Sequence, residues 1–381
     1  MFLSYTMTDE QNHTMTNYID IPYPELRDFC NSLFPSYGFN ANESKAITEI
    51  LLRADLYGIE SHGIQRLVRY DEEIRSGMVT VGAQPEILHE TPVSACLDGH
   101  KAMGQLTGIR AMKLAVEKAG RTGIGMVTVR NSNHYGIAGY YTAMALEADL
   151  IGITMTNTEA ICVPTNGKRA MLGTNPIAFA MPAEPIPFSF DAATTMVTRG
   201  TMEVFHKNGH PIPDTWAVDS EGRPTTDAGE VIRNIIGKLG GGIAPLGGSA
   251  EISGGHKGYG LAAMVDICTG ILSGGLTSNH INSTPGEAED AVGPGICHCF
   301  AAIDYGIFGN KRDLKEALSA FLGELRACPR ADGKGRIYTH GEKALETMAA
   351  RIGGTIPVNE KTLGEMQAIA SRQGVRPPNF Y

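Results

Sequence analysis

The chain has 381 residues, 42% of them apolar and 19% charged, an ordinary balance for a globular protein but more chain than one hydrophobic core usually organises. Two lobes are therefore expected. A formal net charge of −9 excludes a general attraction to nucleic acid or anionic membrane, and no apolar run is long enough to span a bilayer.

Residues 1–20 lack a basic start followed by an apolar core, so they are expected to form a disordered tail, not a secretory signal. Apolar residues spaced three and four apart predict helices in PELRDFCNSLF and NESKAITEILLRADLYG, the latter N-capped by Asn42. After GIESHG, a third helix is expected over IQRLVRYDEEIRSG, ending at Gly77. From residue 86 the texture changes. SACLDG reads as a strand, MGQLTGIRAMKLAVEKAGRTG as a helix, GIGMVTVR as a buried strand and TAMALEADL as a helix. DLIGITMTNT and NPIAFAMPA follow as strands; WAVDSEGRPTTD is turn-rich, with Trp216 as a local anchor. GLAAMVDICTGILSGG reads as a buried helix and AIDYGIF as a strand. Helices return from Lys311 in KRDLKEALSAFLGELRAC, EKALETMAARIGG and NEKTLGEMQAIASRQG.

This order predicts an α/β fold in which residues 21–85 and 311–381 pack as one helical lobe around an α/β domain of residues 86–310. Seven scattered cysteines (Cys30, Cys96, Cys162, Cys268, Cys297, Cys299 and Cys328) read as reduced thiols, which points to a cytoplasmic setting. The 46 glycines fall between apolar segments and imply many tight turns.

Several familiar motifs fail. No G-x-G-x-x-G follows a strand and opens a helix, so an ordinary dinucleotide fold is disfavoured. No P-loop and no G-x-S-x-G elbow exist. His206 and His210 have a zinc-compatible spacing, but Gly209 and Pro211 oppose a helix there; in Cys297-His298-Cys299, strand alternation turns the histidine away from both thiols. No metal is expected.

Four stretches concentrate polar groups beyond what packing needs. In ESHGIQR, Ser61 and His62 precede a helix start and Arg66 stands beside it, an arrangement suited to a carboxylate. In RNSNHYG, His134 sits where a strand hands over to a helix. It is either a proton donor and acceptor or a hydrogen-bonded core histidine. Across residues 154–195, Thr158, Thr174, Asn175 and Asp191 lie near strand ends, where α/β proteins place ligand contacts. In PLGGSAEISGGHKGYG, glycines flank Lys257 ahead of a helix.

Together, ESHGIQRLVRY, NSNHYGIAGYY, VPTNGKRAMLGTNPIAFAMPA, FDAATTMVTRG, NGHPIPDTWAVDSEGRPTTD and GGHKGYGLAAMVDICTGILSGG resemble the type 2 malate/L-lactate dehydrogenase family. Its relatives include ureidoglycolate and sulfolactate dehydrogenases, diketogulonate reductases and cyclic imine carboxylate reductases. The resemblance implies a homodimeric oxidoreductase using NAD or NADP, with NAD slightly preferred, on a non-Rossmann domain built on a largely antiparallel seven-stranded sheet. It implies His134 as the proton acceptor and donor, with Ser61 and His62 in substrate handling or proton relay. Arg66, Thr158 and Lys257 are then expected at the substrate. Thr174, Asn175, Asp191, Ala192, Ala193, Pro245 and Leu246 are expected at the cofactor. Two departures bear on cofactor choice: SAEIS intervenes before GGHKG, and Thr201 stands where relatives commonly carry lysine. The expected reaction is hydride exchange between NAD(P) and a small 2-hydroxy/2-keto acid. Malate/oxaloacetate is favoured because His62 or Lys257 offers a second anchor besides Arg66; L-lactate, ureidoglycolate and cyclic imine carboxylates are the alternatives.

Overall fold

The computed structural model describes residues 18–207, 209–281 and 295–379. Strand β1 (Tyr18–Pro22) leads into helices α1 (Tyr23–Ser36), α2 (Ala41–Leu56) and α3 (Leu67–Arg75). The central region runs β2 (Glu86–Glu90), β3 (Ser94–Asp98), α4 (Gly104–Thr122), β4 (Ile124–Ser132), α5 (Gly139–Glu147), β5 (Ile151–Thr156), β6 (Ile177–Met181) and β7 (Phe188–Ala192). A small annex follows, made of α6 (Arg199–Lys207), β8 (Ala217–Val218), α7 (Ala228–Gly237) and β9 (Gly242–Ile243). The chain continues through α8 (Gly255–Asp266), β10 (Ile296–Ile303), α9 (Lys311–Ala327), α10 (Glu342–Arg351), β11 (Thr355–Asn359) and α11 (Glu360–Gln373).

The central sheet has seven strands in the order β2-β3-β4-β10-β5-β6-β7. It is mixed: β3 and β4 run parallel, joined by the α4 crossover, while the other neighbouring pairs are antiparallel. Helix α4 lays Ala111, Met112, Ala115 and Ala119 on it. The approach is close because Gly125 of β4 has no side chain; a Cβ there would stand 2.0 Å from the Ala115 carbonyl oxygen.

A second core gathers the terminal helices. Leu26, Phe29 and Leu33 of α1 meet Ile47 and Leu51 of α2, Ile356 of β11 and Met366 of α11. Helix α2 serves both cores, since its Ile50 belongs to the sheet-side cluster with Tyr135, Tyr141 and Phe300. The turns leaving α2 therefore emerge between the two cores. That is where the candidate site forms.

The structure revises several local expectations. Of the expected tail over 1–20, residues 18–20 instead belong to β1, which pairs antiparallel with β11; residues 1–17 lie outside the described residues. The cap of α2 is Asn40, not Asn42. Asn40 Oδ1 accepts from the N–H groups of Asn42 and Glu43 while Glu43 answers the Asn40 N–H, a reciprocal box. The third helix starts at Leu67, because Ile64–Arg66 form a 3-10 turn first. The strand expected over AIDYGIF ends at Ile303, and Tyr305–Phe308 form a 3-10 turn opened by Asp304. GLAAMVDICTGILSGG is not uniformly buried: α8 passes into a π-helical turn, Ile267–Ile271, and Met264, Ile267, Ile271 and Leu272 stay exposed. Helix α9 departs from the expected lobe, since Lys315 and Ser319 bond to Glu184 beyond β6 and Lys311 to Asp149 before β5.

Candidate active site

The site begins with a carboxylate that is not itself chemical. Asp55, buried near the end of α2, accepts the Ile64 N–H at 2.7 Å. Gly63 lies against the same carboxylate, where a Cβ would stand 1.9 Å from Oδ1. Burial raises the Asp55 pKa to about 8, with Glu60 pushing the same way and the Ile64 N–H and Arg351 opposing. This contact fixes the turns Glu60–His62 and Ile64–Arg66 over the end of α2.

Those turns present three expected residues together. Ser61 Oγ lies 2.9 Å from His62 Nδ1, and Arg66 Nε donates to the Ser61 carbonyl at 2.5 Å. Opposite them, β4 delivers His134 through a pinned exit. Arg130 and Asn131 bond to Asp98, and Asn133 Nδ2 donates to the carbonyls of Lys101 and Ala102. The first residue of α4 presses on the loop backbone, for a Cβ on Gly104 would stand 2.4 Å from the His134 carbonyl oxygen.

His134 stacks on His62, ring centroids 5.6 Å apart, and its Nδ1 lies 2.8 Å from the Tyr70 hydroxyl. Burial holds its pKa well below the ordinary imidazole value, reinforced by Arg69, His62 and Arg66. Burial, Arg66 and Arg69 likewise lower His62 to about 3. Both rings are therefore neutral near pH 7. When Nδ1–H donates to the Tyr70 oxygen, the lone pair on Nε2 is free to accept a proton.

The core-histidine reading belongs to a different histidine. His298 of β10 is buried between Thr156 and Ser132, at 2.8 and 3.0 Å, and stacks on Tyr135. Thr156 Oγ donates to backbone carbonyls, so it accepts from His298 Nδ1–H, and Nε2 accepts the Ser132 hydroxyl. His298 thereby props the strand end that carries His134.

The other expected residues divide. Thr158 Oγ accepts the Thr174 N–H at 3.0 Å, so these two form one corner, and the charge of the neighbouring Glu159 favours the Arg69 guanidinium. Asn175 is buried, with its amide spent internally: Nδ2 donates to the Ala262 carbonyl and Asp266, and Oδ1 accepts from Thr158 N–H and Ser278. It anchors α8, so direct contact through its side chain is not what the geometry offers. The Asp191 carboxylate accepts the Gly139 N–H at 2.7 Å and thus caps α5; burial raises its pKa to about 6. Ala192 is buried and Ala193 partly exposed, both beside that cap. The Leu246 N–H donates to Thr194, tying the Pro245–Leu246 turn to this segment. Lys257 is exposed in the first turn of α8, and no hydrogen bond, ion pair or ring contact joins it to the imidazole pair. Among the described residues, no group of three His, Cys, Asp or Glu could hold a metal.

Motif reading passed over Arg69 and Tyr70. Both stand in the quoted ESHGIQRLVRY, and positions three and four beyond Arg66 share its helix face. That spacing was the available signal.

The family model described as malate/L-lactate dehydrogenase matches residues 21–367. The chain belongs to that family. It is an enzyme of the dehydrogenase class, acting on CH–OH groups. A malate dehydrogenase of Pyrococcus abyssi is 44% identical over 96% of this chain and 98% of its own. A malate/(S)-sulfolactate dehydrogenase of Methanothermus fervidus is 33% identical over 92% and 97%. Among solved structures, malate dehydrogenase from Entamoeba histolytica aligns with a TM-score of 0.90 at 34% identity, covering 95% of this chain and all of that one.

Proposed function

We propose that the chain exchanges a hydride between a nicotinamide dinucleotide and a 2-hydroxy/2-keto acid, with malate and oxaloacetate as the physiological pair. The carrying observation is a neutral, half-buried His134, oriented by Tyr70, stacked on His62 and held neutral in part by the charges of Arg69 and Arg66. Relatives over nearly the whole length that bear the name malate dehydrogenase support the substrate. In oxidation, His134 Nε2 takes the hydroxyl proton; in reduction, the imidazolium returns it to the forming alkoxide. Arg66 holds the carboxylate next to the reacting carbon through its terminal nitrogens, its Nε being committed to Ser61. Ser61 and His62 border the same oxygen.

The nicotinamide, when bound, supplies the hydride acceptor or donor. The residues beyond α8's start fit the anionic part of such a group. Gly254, at φ 89°, opens the helix with no side-chain cap, and Lys257 is exposed in its first turn, with no ion pair among the described residues. Beside it, Pro245, Ser249, Ala250, Pro164 and Asn166 line a cleft of about 200 Å³. Thr174, Asp191, Ala192, Ala193 and Leu246 frame the approach from the sheet, and the absence of a G-x-G-x-x-G that follows a strand and opens a helix supports a non-Rossmann dinucleotide site. NAD is the proposed cofactor. The exposed apolar face running from α8 into the π-helical turn fits a homodimer, and the seven free cysteines fit a reducing cytoplasm. No helix among the described residues is long and apolar enough to cross a membrane.

The test is a panel of oxaloacetate, pyruvate, a cyclic imine carboxylate and the ureidoglycolate oxidation, each with both nicotinamide cofactors, followed by NAD(P)H absorbance. Oxaloacetate with NADH is expected to give the highest catalytic efficiency. No turnover of any 2-oxo acid would remove the 2-hydroxy/2-keto acid reading in favour of whichever of the other two substrates reacts, and a preference for pyruvate would remove the diacid.

A further inference from the structure

Arg69 is the charged group that acts most strongly on His134, ahead of His62 and Arg66. Arg69 immediately precedes Tyr70, whose hydroxyl lies 2.8 Å from His134 Nδ1, and follows Arg66 by three residues where α3 begins. It is held by one bond, Nε to Glu73 Oε1 at 2.7 Å. Glu73 Oε2, although buried, has no hydrogen-bond partner, so the pair is not a two-pronged fork. Among the described residues, the terminal nitrogens of Arg69 have no hydrogen-bond partner, and neither have those of Arg66, which is fixed through its own Nε.

The two arginines are three residues apart where α3 begins, a spacing that puts side chains about 5–6 Å apart at Cβ on one face. Like charges this near repel, and Arg69 is the largest charge effect lowering the Arg66 pKa, after burial. A monocarboxylate answers one of them. A diacid answers both, with each carboxylate offered a planar pair of N–H donors.

We propose that Arg69 binds the carboxylate on the carbon beyond the reacting one, and is the residue that separates a four-carbon 2-oxo diacid from pyruvate. This rests on the dehydrogenase reading of the site and replaces His62 and Lys257 as the second anchor. His62 is stacked on His134 with Nδ1 occupied by Ser61, and among the described residues no hydrogen bond or ion pair brings Lys257, exposed in the first turn of α8, to the imidazole pair.

The experiment compares wild type, Arg69→Met, Arg69→Lys and Arg66→Met on oxaloacetate and pyruvate at fixed NADH. Because Arg69→Met strips Glu73 of its partner, the double variant Arg69→Met/Glu73→Gln is measured alongside. Removing Arg69 should cut kcat/KM for oxaloacetate by about 10²-fold or more, chiefly through KM, with pyruvate changed less than about threefold. Arg69→Lys should recover part of the loss, and Arg66→Met should lower both substrates. Malonate should raise the melting temperature of wild type and not of the Arg69→Met variants, which reads the same contact without turnover. Equal losses on the two substrates, or retained oxaloacetate preference with malonate still stabilising, would overturn the assignment. A wild type that reduces no 2-oxo acid would instead overturn the underlying 2-hydroxy/2-keto acid reading, so the two failures are distinct.

Discussion

His134 is suited to be a base because the protein denies it a proton beforehand. Burial and four neighbouring cationic or titratable groups disfavour its imidazolium, while Tyr70 gives Nδ1 a fixed partner. His134→Ala should lower turnover by about 10²–10⁴ while leaving NADH binding, read by nicotinamide fluorescence, nearly unchanged. The same surroundings set a pH profile. A base must be unprotonated to act, and a lowered pKa keeps it so as the medium acidifies. The kcat/KM for malate oxidation should therefore hold steady as pH falls through the ordinary imidazole range near 6.5, and decline only below it. An inflection at or above 6.5 assigned to His134 would contradict the desolvated site. Ser61, His62, Arg66 and His134 were legible in the sequence because small polar residues crowd them where apolar patterning breaks. Arg69 and Tyr70 were not, since an arginine inside an amphipathic helix reads first as a solvated residue, and only tertiary packing turns it inward.

At the scale of elements, the joint between α2 and the turns at 60–66 decides whether the site assembles. Asp55 and Gly63 make that joint, and neither is marked by a motif. Their value lies in a contact across eight residues that a sequence does not display. The long helices were legible from apolar spacing, as was the strand–turn–helix carrying His134. Strand β2 was not: all five residues of EILHE are exposed, so no alternation betrays a strand, and pairing with β3 alone defines it. Strand β1 escaped because its partner β11 lies at the far end of the chain. The Asp55 pKa, raised to about 8 in the folded protein, gives the joint a pH signature. A carboxyl that is harder to ionise when folded contributes stability at low pH. That contribution is lost as pH rises from the ordinary carboxylate range near 4 towards 8. Wild type should thus lose more unfolding free energy between pH 5 and pH 8.5 than Asp55→Asn does, by more than about 1 kcal/mol in denaturant titrations. Equal losses would mean that Asp55 ionises as easily folded as unfolded.

Across the whole molecule, helix α2 ties the terminal-helix core to the sheet core, and α8 ties the sheet to the proposed cofactor loop. The buried side of α8 is held by polar groups: Asp266 accepts from Asn157, Asn175 and the Ser278 N–H. Its other side is apolar and open, with Met264 41%, Ile267 52%, Ile271 59% and Leu272 53% exposed. Leaving such a continuous face in water forfeits about 25 cal/mol for each Å² that a partner could cover. A second copy of the chain is the proposed occupant, and a two-fold contact would set like residues near one another. Ile271→Glu should then place a charge on each side of a buried contact, where desolvation and mutual repulsion both oppose association. Sedimentation velocity should show wild type as a dimer at micromolar concentration and Ile271→Glu as mostly monomer. Activity should fall with it, because the helix that carries this face also orders Asn175 and the Thr158 corner. A monomeric wild type, or a variant that stays dimeric, would assign the exposed face to something other than self-association.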